Sequence, residues 1–299
     1  MDLSVPPGAV VAGVDGSKGS LRAARWAAAE AQIWGLPLCL VHVWSPPVVD
    51  WPLPTGAAAF IPENLTSPSP AILDQAEAAL RAEADLDGIE VHKVAFQGQA
   101  AQHLVATTKG AHALVLGTRG LGGFAGLLLG SVVSACLHHG RSPVVAVGGD
   151  LVLPGEAPVV VGVDSSPGSH AALRWAASEA VRQKVLLRVV HGWDPGAVTP
   201  PGPQAFGPLD EEEFALAADR FLNALVDDEL ADMEGRPEVE CLSVAAPAAE
   251  ALLWEARNAS LLVVGTRGRG GFAGLLLGSV SRQCANYAPC PVAVVPHLS

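Results

Sequence analysis

GTRGLGGFAGLLLGSV, residues 117–132, returns as GTRGRGGFAGLLLGSV at residues 265–280, with Leu121 exchanged for Arg269 and nothing else changed. An uninterrupted apolar run precedes each copy, Ala113–Leu116 in one case and Leu261–Val264 in the other, and a helix-forming stretch follows. A glycine-rich passage from a buried strand into a helix gathers free backbone N–H groups and the positive end of the helix dipole at one spot. An anion such as a phosphate group can sit there. The chain carries this passage twice.

Working outward, the likeness between the halves continues. VVAGVDGS at 10–17 corresponds to VVVGVDSS at 159–166, and LRAARWAA at 21–28 to HAALRWAA at 170–177. Aligning Trp26 with Trp175 also matches Glu30 with Glu179 and His42 with His191. Two fused copies of one domain account for this, one over 1–148 and one over 158–299, joined by a linker at 149–157 where Gly, Asp, Pro and Glu interrupt the pattern. A linker this short predicts that the copies pack together.

Within each copy, short apolar runs alternate with helical stretches, the pattern of a parallel sheet covered by helices on both faces. The first half predicts strands near 9–15, 37–44, 89–95, 112–117 and 143–147, and helices near 18–34, 70–87, 99–110 and 130–139. The fold class is therefore α/β, two tandem domains, each with a five-stranded parallel sheet. Runs such as Ala113–Leu116 suit strands buried on both faces. The Pro-rich stretches 45–70 and 194–208 read as long irregular loops after the second strand of each copy. The fifth strands, 144–147 and 292–295, form sheet edges able to pair with each other about a pseudo-twofold, or between two copies of the chain in a homodimer.

Composition narrows the function classes. The chain has 299 residues, of which 50% are hydrophobic and 16% charged, enough apolar material for two cores and unlike a disordered chain. A formal charge of −12 disfavours nucleic acid and anionic membrane surfaces as main partners. The stretch 120–137 is long and uncharged, yet its glycines, and Arg269 and Arg282 in and after its twin, favour a soluble loop and helix. The start MDLSVPPGAV has neither the basic opening nor the apolar core of a secretory signal. The five cysteines show no ligand or redox spacing. The expectation is a cytoplasmic protein with reduced thiols.

Ligands of open parallel sheets bind beyond the carboxyl ends of the strands, where strand order reverses. Asp15 and Asp164 end the first strand of each copy and fall at that edge. A carboxylate beside phosphates would be repelled, so these two are expected to face a base or ribose. The alternative role is to form the turn or cap the following helix. Ser131 and Ser279 are expected to cap their helices and to donate a hydroxyl proton to a phosphate oxygen. Arg119, Arg267 and Arg269 could clamp phosphate oxygens or stand as solvated loop charges.

Rival motifs fail. Gly16-Ser17-Lys18 does not satisfy the P-loop pattern, since Lys18 is followed by Gly19 and the second copy has no Lys there. The nine histidines form no HExxH-like set, and His42 and His191, at the ends of apolar runs, read as satisfied sheet residues. Trp26 and Trp175 read as core anchors. No serine or threonine has an evident His/Asp partner set, so no catalytic constellation emerges.

The spacing Gly, two residues, Gly, nine residues, Gly-Ser fits Gly117, Gly120, Gly130 and Ser131, and again Gly265, Gly268, Gly278 and Ser279. With Val-Asp at 14–15 and 163–164 and LVHV at 40–43, it resembles the ATP-binding signature of the universal stress protein family. The resemblance implies a Rossmann-like fold of the adenine nucleotide α hydrolase type and ATP as cofactor, with Mg2+ held mainly by its phosphates. It implies adenine and ribose contacts from Asp15 and Val43 in one copy and Asp164 in the other. Phosphate contacts would come from Gly117, Gly120, Gly130, Ser131 and Val132, and from Gly265, Gly268, Gly278, Ser279 and Val280. Gly192 stands where Val43 stands, which predicts weaker apolar contact with the base in the second copy.

Without a base or acceptor, the expectation is a regulator in stress response that acts through nucleotide occupancy, with at most slow ATP hydrolysis. Two alternatives differ in kind. One is an ATP-cleaving or adenylyl-transferring enzyme, whose Ser-Gly-Gly-x-Asp-Ser or His-x-Gly-His motif is missing from the sequence. The other is an interaction module that binds another adenine nucleotide such as cyclic AMP.

Overall fold

The computed structural model describes residues 4–45, 67–83, 86, 88–120, 129–149, 151–193, 211–268 and 277–297. The Pro-rich stretches, apart from their ends, and the middle of each glycine loop lie outside the described residues.

The first half runs β1 (Val10–Gly13), α1 (Lys18–Trp34), β2 (Leu38–Trp44), α2 (Ser69–Glu83), β3 (Val91–Gln97), α3 (Ala100–Thr107), β4 (Ala113–Gly117), α4 (Ser131–His139) and β5 (Val144–Val147). The second repeats it as β6 (Val159–Gly162), α5 (Pro167–Gln183), β7 (Leu187–Trp193), α6 (Glu211–Glu229), β8 (Val239–Ala245), α7 (Ala248–Glu255), β9 (Leu261–Gly265), α8 (Ser279–Tyr287) and β10 (Val292–Val295). The strands form one ten-stranded sheet in the order β3-β2-β1-β4-β5-β10-β9-β6-β7-β8. Pairing is parallel within each half and antiparallel at the centre, where Val292, Ala293 and Val294 face Ala146, Val145 and Val144.

The inner strands β1, β4, β5, β6, β9 and β10 are apolar on both faces because both faces are covered, whereas the edge strands β3 and β8 carry polar residues and are half-buried. Val10 and Ala12 of β1 join one buried cluster with Ala23, Ala27 and Leu73 from α1 and α2, while Ala9 and Val11 join another with Leu104, Val133 and Cys136 from α3 and α4. The second half splits the same way, with α5 and α6 on one face and α7 and α8 on the other. Each cluster is continuous through both halves. Trp26 is fully buried on α1, and Trp175 packs at the edge of the same cluster.

The β4, β5, α1 and α4 positions agree with the sequence reading within two residues. The third strand starts later than expected, at Val91 rather than 89. Gly88 takes a left-handed φ of 85°, and Leu38 N–H bonds to Glu90 O before the ladder opens at Leu38 with Val91. Chain reversal at Gly88 thus consumes residues that an apolar pattern alone would give to the strand.

Candidate functional site

Strand order reverses between β1 and β4, and between β6 and β9, because β2 and β3 extend the sheet one way before the chain returns beside β1. Asp15 follows β1 and the glycine loop follows β4, so both emerge at the reversal. Asp164 and the loop after β9 do the same in the second half.

Here the glycines do a job the sequence reading did not foresee. None of the described motif glycines has a positive φ. Gly117 meets the first turn of α1: a Cβ there would lie 2.6 Å from the carbonyl carbon of Gly19. A Cβ on Gly19 would in turn lie 2.8 Å from Arg119 O. Gly265 and Gly168 repeat the contact at 2.7 Å, with Arg267 O at 2.9 Å. Strand end and helix start therefore touch backbone to backbone, which no residue with a side chain permits. Gly120 and Gly268 lie directly against the Oδ2 atoms of Asp15 and Asp164, with no room for a Cβ. The need for glycine at these six positions comes from the protein's own packing.

The aspartates also hold the turn. Ser17 N–H donates to Asp15 Oδ1 at 3.0 Å, and Ser166 N–H to Asp164 Oδ1 at 2.9 Å. Ser17 and Ser166 are the N-caps of α1 and α5, accepting from Ser20 N–H and Ser169 N–H. The turn-forming alternative is realised, and it fixes the carboxylate beside the glycine loop.

The caps of α4 and α8 differ from expectation. Gly130 and Gly278 occupy the N-cap with φ near −70° and no side-chain capping bond, so Ser131 and Ser279 are the first helical residues and do not cap. The helix ladders open with Ser134 N–H to Gly130 O and Arg282 N–H to Gly278 O. The N–H groups of the first three residues of each helix stand outside that ladder, and the serine hydroxyls are not spent on the cap. Gly130 N–H and Gly278 N–H bond back to Thr118 O and Thr266 O, which sets each helix start next to the strand it follows.

In the second half these parts enclose a cavity of about 490 Å³. Asp164, Gly265, Gly268, Gly278, Ser279 and Val280 all line it, together with Arg267 and Gly192. An apolar wall comes from Val163, Val190, Leu252, Val264 and Leu277. A space of this size, apolar with a few polar groups at one end, has the character of a small-molecule site. Gly192 does not leave a gap. A Cβ there would lie 2.6 Å from Ala248 Cα, so the start of α7 presses onto the end of β7, and Ala248 and Leu252 form the wall. In the first half Val43 pairs with Phe96 at the matching register, where Gly192 pairs with Val244. The two sites are built from different side chains at this position, but the second retains an apolar surface.

The first-half residues Asp15, Gly117, Gly120, Gly130, Ser131 and Val132 hold places equivalent to their counterparts around the second-half cavity. One pair departs: Ser281 donates to Gly265 O at 2.6 Å, whereas its counterpart Val133 is buried in the apolar cluster. His42 and His191 are internally satisfied. His42 Nδ1 is 2.7 Å from Ser69 Oγ, and burial holds its pKa below the ordinary value against the pull of the Asp15 charge. His191 Nδ1 is 2.9 Å from Val163 O. Arg119 and Arg267 are exposed, and Arg269 lies outside the described residues.

Sequence reading missed Gly19, Gly168, Ser17, Ser166, Leu252 and Leu277. Aligning the copies offered a signal for four of them, since Gly19-Ser20 matches Gly168-Ser169 and Ser17 matches Ser166. The second-half cavity fits a mononucleotide in size and in its donor set. Asp164 is the one carboxylate among the described residues lining it, and its Oδ1 already accepts from Ser166. This leaves no ready-made carboxylate cage for Mg2+, in keeping with an ion held mainly through ligand phosphates.

Fold and site together define a tandem α/β protein with a glycine-rich passage from strand to helix in each half. The chain matches the Universal stress protein family over residues 8–148 and again over 157–296, and it belongs to that family. It is 37% identical over 289 residues to a universal stress protein of Mycolicibacterium smegmatis, covering 96% of both chains. A universal stress protein of Mycobacterium tuberculosis is 36% identical over 298 residues, with 95% of each covered. Among solved structures, a universal stress protein from Archaeoglobus fulgidus superposes with a TM-score of 0.62 at 18% identity, covering 98% of this chain and 99% of that one, a likeness of fold. A putative universal stress protein from Pseudomonas aeruginosa gives 0.57 at 16% identity over 96% of this chain and 91% of its own.

Proposed function

We propose that each half binds ATP, accompanied by Mg2+, and that occupancy of the two sites stabilises a conformation that a partner or a second copy of the chain recognises in a stress response. The observation that carries this reading is the second-half cavity of about 490 Å³, where the start of α8, the ends of the glycine loop and Asp164 converge at the point of strand reversal. Phosphates would lie at the N-terminal ends of α4 and α8, against Gly130, Ser131 and Val132 in one half and Gly278, Ser279 and Val280 in the other. There the unspent N–H groups and helix dipole favour negative charge. The base would lie toward the apolar wall, past Val43 or Ala248, and the ribose toward Asp15 or Asp164.

The test is identification by mass spectrometry of nucleotide released from freshly purified protein, with ATP titration of the emptied protein. The expected result is ATP in the released fraction and saturable binding that falls in a Gly130→Ala/Gly278→Ala variant. Those two positions suit the purpose. Their φ values accept alanine, and an added Cβ would meet its nearest protein neighbours at 3.5 and 3.4 Å, ordinary contact, while narrowing the cradle. Absence of nucleotide together with no ATP-dependent rise in melting temperature defeats the proposal. Tighter binding of cyclic AMP than of ATP replaces the ligand and retains the site.

A further inference from the structure

A second cluster of chemistry-bearing side chains lies where the halves meet, away from both glycine loops. Glu30 of α1 and Glu179 of α5 hold matching places in the two copies, and both are fully buried. His112, just before β4, reaches both of them. Its Nε2 is 3.3 Å from Glu30 Oε1 and 3.5 Å from Glu179 Oε1. The second-half counterpart of His112 is Ser260, which donates instead to Ala157 O, so two related glutamates converge on a single imidazole. Glu179 Oε2 accepts from Trp34 Nε1 at 3.1 Å and from Gln183 Nε2 at 3.2 Å. Glu30 Oε2 and Glu179 Oε1 are left buried without a hydrogen-bond partner.

Two carboxylates do not stay ionised together in a dry space unless positive charge compensates them. We propose that Glu30, His112 and Glu179 bind one Zn2+ ion, which ties α1 of the first half to α5 of the second.

The spacing of the three ligand atoms fits a zinc ion. Zinc bonds of about 2.0–2.2 Å in a tetrahedron set ligand atoms about 3.3–3.5 Å apart, and His112 Nε2 stands at 3.3 and 3.5 Å from its two carboxylate partners. All three ligand atoms lie within 4.8 Å of one another. Two carboxylates and a neutral imidazole balance a divalent charge, so the buried site becomes neutral when loaded. Mixed imidazole and carboxylate donors suit Zn2+ rather than Mg2+. The bonds from Trp34 and Gln183 hold Glu179 by its far oxygen and leave Oε1 directed at the histidine, the kind of outer support that metal carboxylates require. The three residues supply three donors, and a water entering past the His112 side chain, 15% exposed, would fill the fourth position.

The experiment titrates Zn2+ into the full chain after chelator treatment, using competition with a chromophoric chelator, and follows it with zinc X-ray absorption. One ion per chain is expected, in a nitrogen and oxygen shell with a single imidazole, and with a raised melting temperature. Affinity should fall by about 10-fold or more in Glu30→Gln/Glu179→Gln, whose amides keep the side-chain shape. Circular dichroism verifies that this variant is folded. A His138→Ala/His139→Ala variant should bind as the parent does. The proposal is overturned by no stoichiometric uptake, by uptake unchanged in the folded Glu30→Gln/Glu179→Gln variant, by loss in the His138/His139 variant, or by sulfur in the metal shell.

Discussion

At Gly117 the neighbour that forbids a side chain is the backbone of Gly19, and at Gly120 it is the carboxylate of Asp15. Alanine at the two positions should therefore act differently. Gly117→Ala overpacks a backbone contact that cannot yield cheaply, and a loss of about 1–3 kcal/mol is expected in denaturant unfolding, with or without nucleotide. Gly120→Ala meets a side chain that can rotate, so its chief effect should be displacement of Asp15, read as weakened ATP binding with a smaller loss of stability than Gly117→Ala. Equal stability loss in both variants would show that the contacts are not distinguished in this way. That Asp15 and the glycine loop meet at one sheet edge was legible in the sequence because both stand in a motif. Gly19 was not, because its partner is about a hundred residues away and only the folded contact reveals why it is a glycine.

The cysteines make a second prediction at this scale. Burial pushes Cys39, Cys136, Cys284 and Cys290 up to about 12, so almost no thiolate exists at neutral pH. Native protein treated with a thiol reagent should modify at most half-buried Cys241 quickly, with the other four reacting only on unfolding. Rapid modification of two or more thiols in the native state would contradict the burial described.

Among elements, the matched helices α1 and α5 provide an internal control. Both end on a left-handed C-cap, Gly35 at φ 66° in α1 and Lys184 at φ 57° in α5, and Lys184 is the one described non-glycine residue with positive φ. The first copy uses the residue the geometry favours and the second does not. Lys184→Gly should stabilise the protein by about 0.5–1 kcal/mol, the relief of left-handed strain less the greater flexibility of glycine in the unfolded chain. A denaturant midpoint that stays or falls would refute this. Helix starts and strand cores were readable from apolar period and caps. Ends such as Thr107 of α3, expected near 110, were less so, because the tight turns from Thr108 N–H to Val105 O and Lys109 N–H to Ala106 O prolong a helical pattern before Gly110 reverses the chain.

For the whole molecule, the decisive feature is the seam between β5 and β10. The pairing of 144–147 with 292–295 was foreseeable as two unsatisfied edges, but one sheet with cores continuous on both faces is a property of the assembled chain. Calorimetry should accordingly give a single transition, with calorimetric and van't Hoff enthalpies equal. Two separated transitions would mean that the halves fold as independent units. Saturating ATP should raise that one transition, since ligand bound only to the folded form adds RT ln(1 + [L]/Kd), about 2.7 kcal/mol for one site at a hundredfold excess over Kd.

The antiparallel seam also decides direction. Strands on one side of it run opposite to those on the other, so their carboxyl ends leave the sheet at opposite rims. The molecule has two poles, one cradle at each. The two strand-to-helix passages therefore leave the ten-stranded sheet facing away from each other.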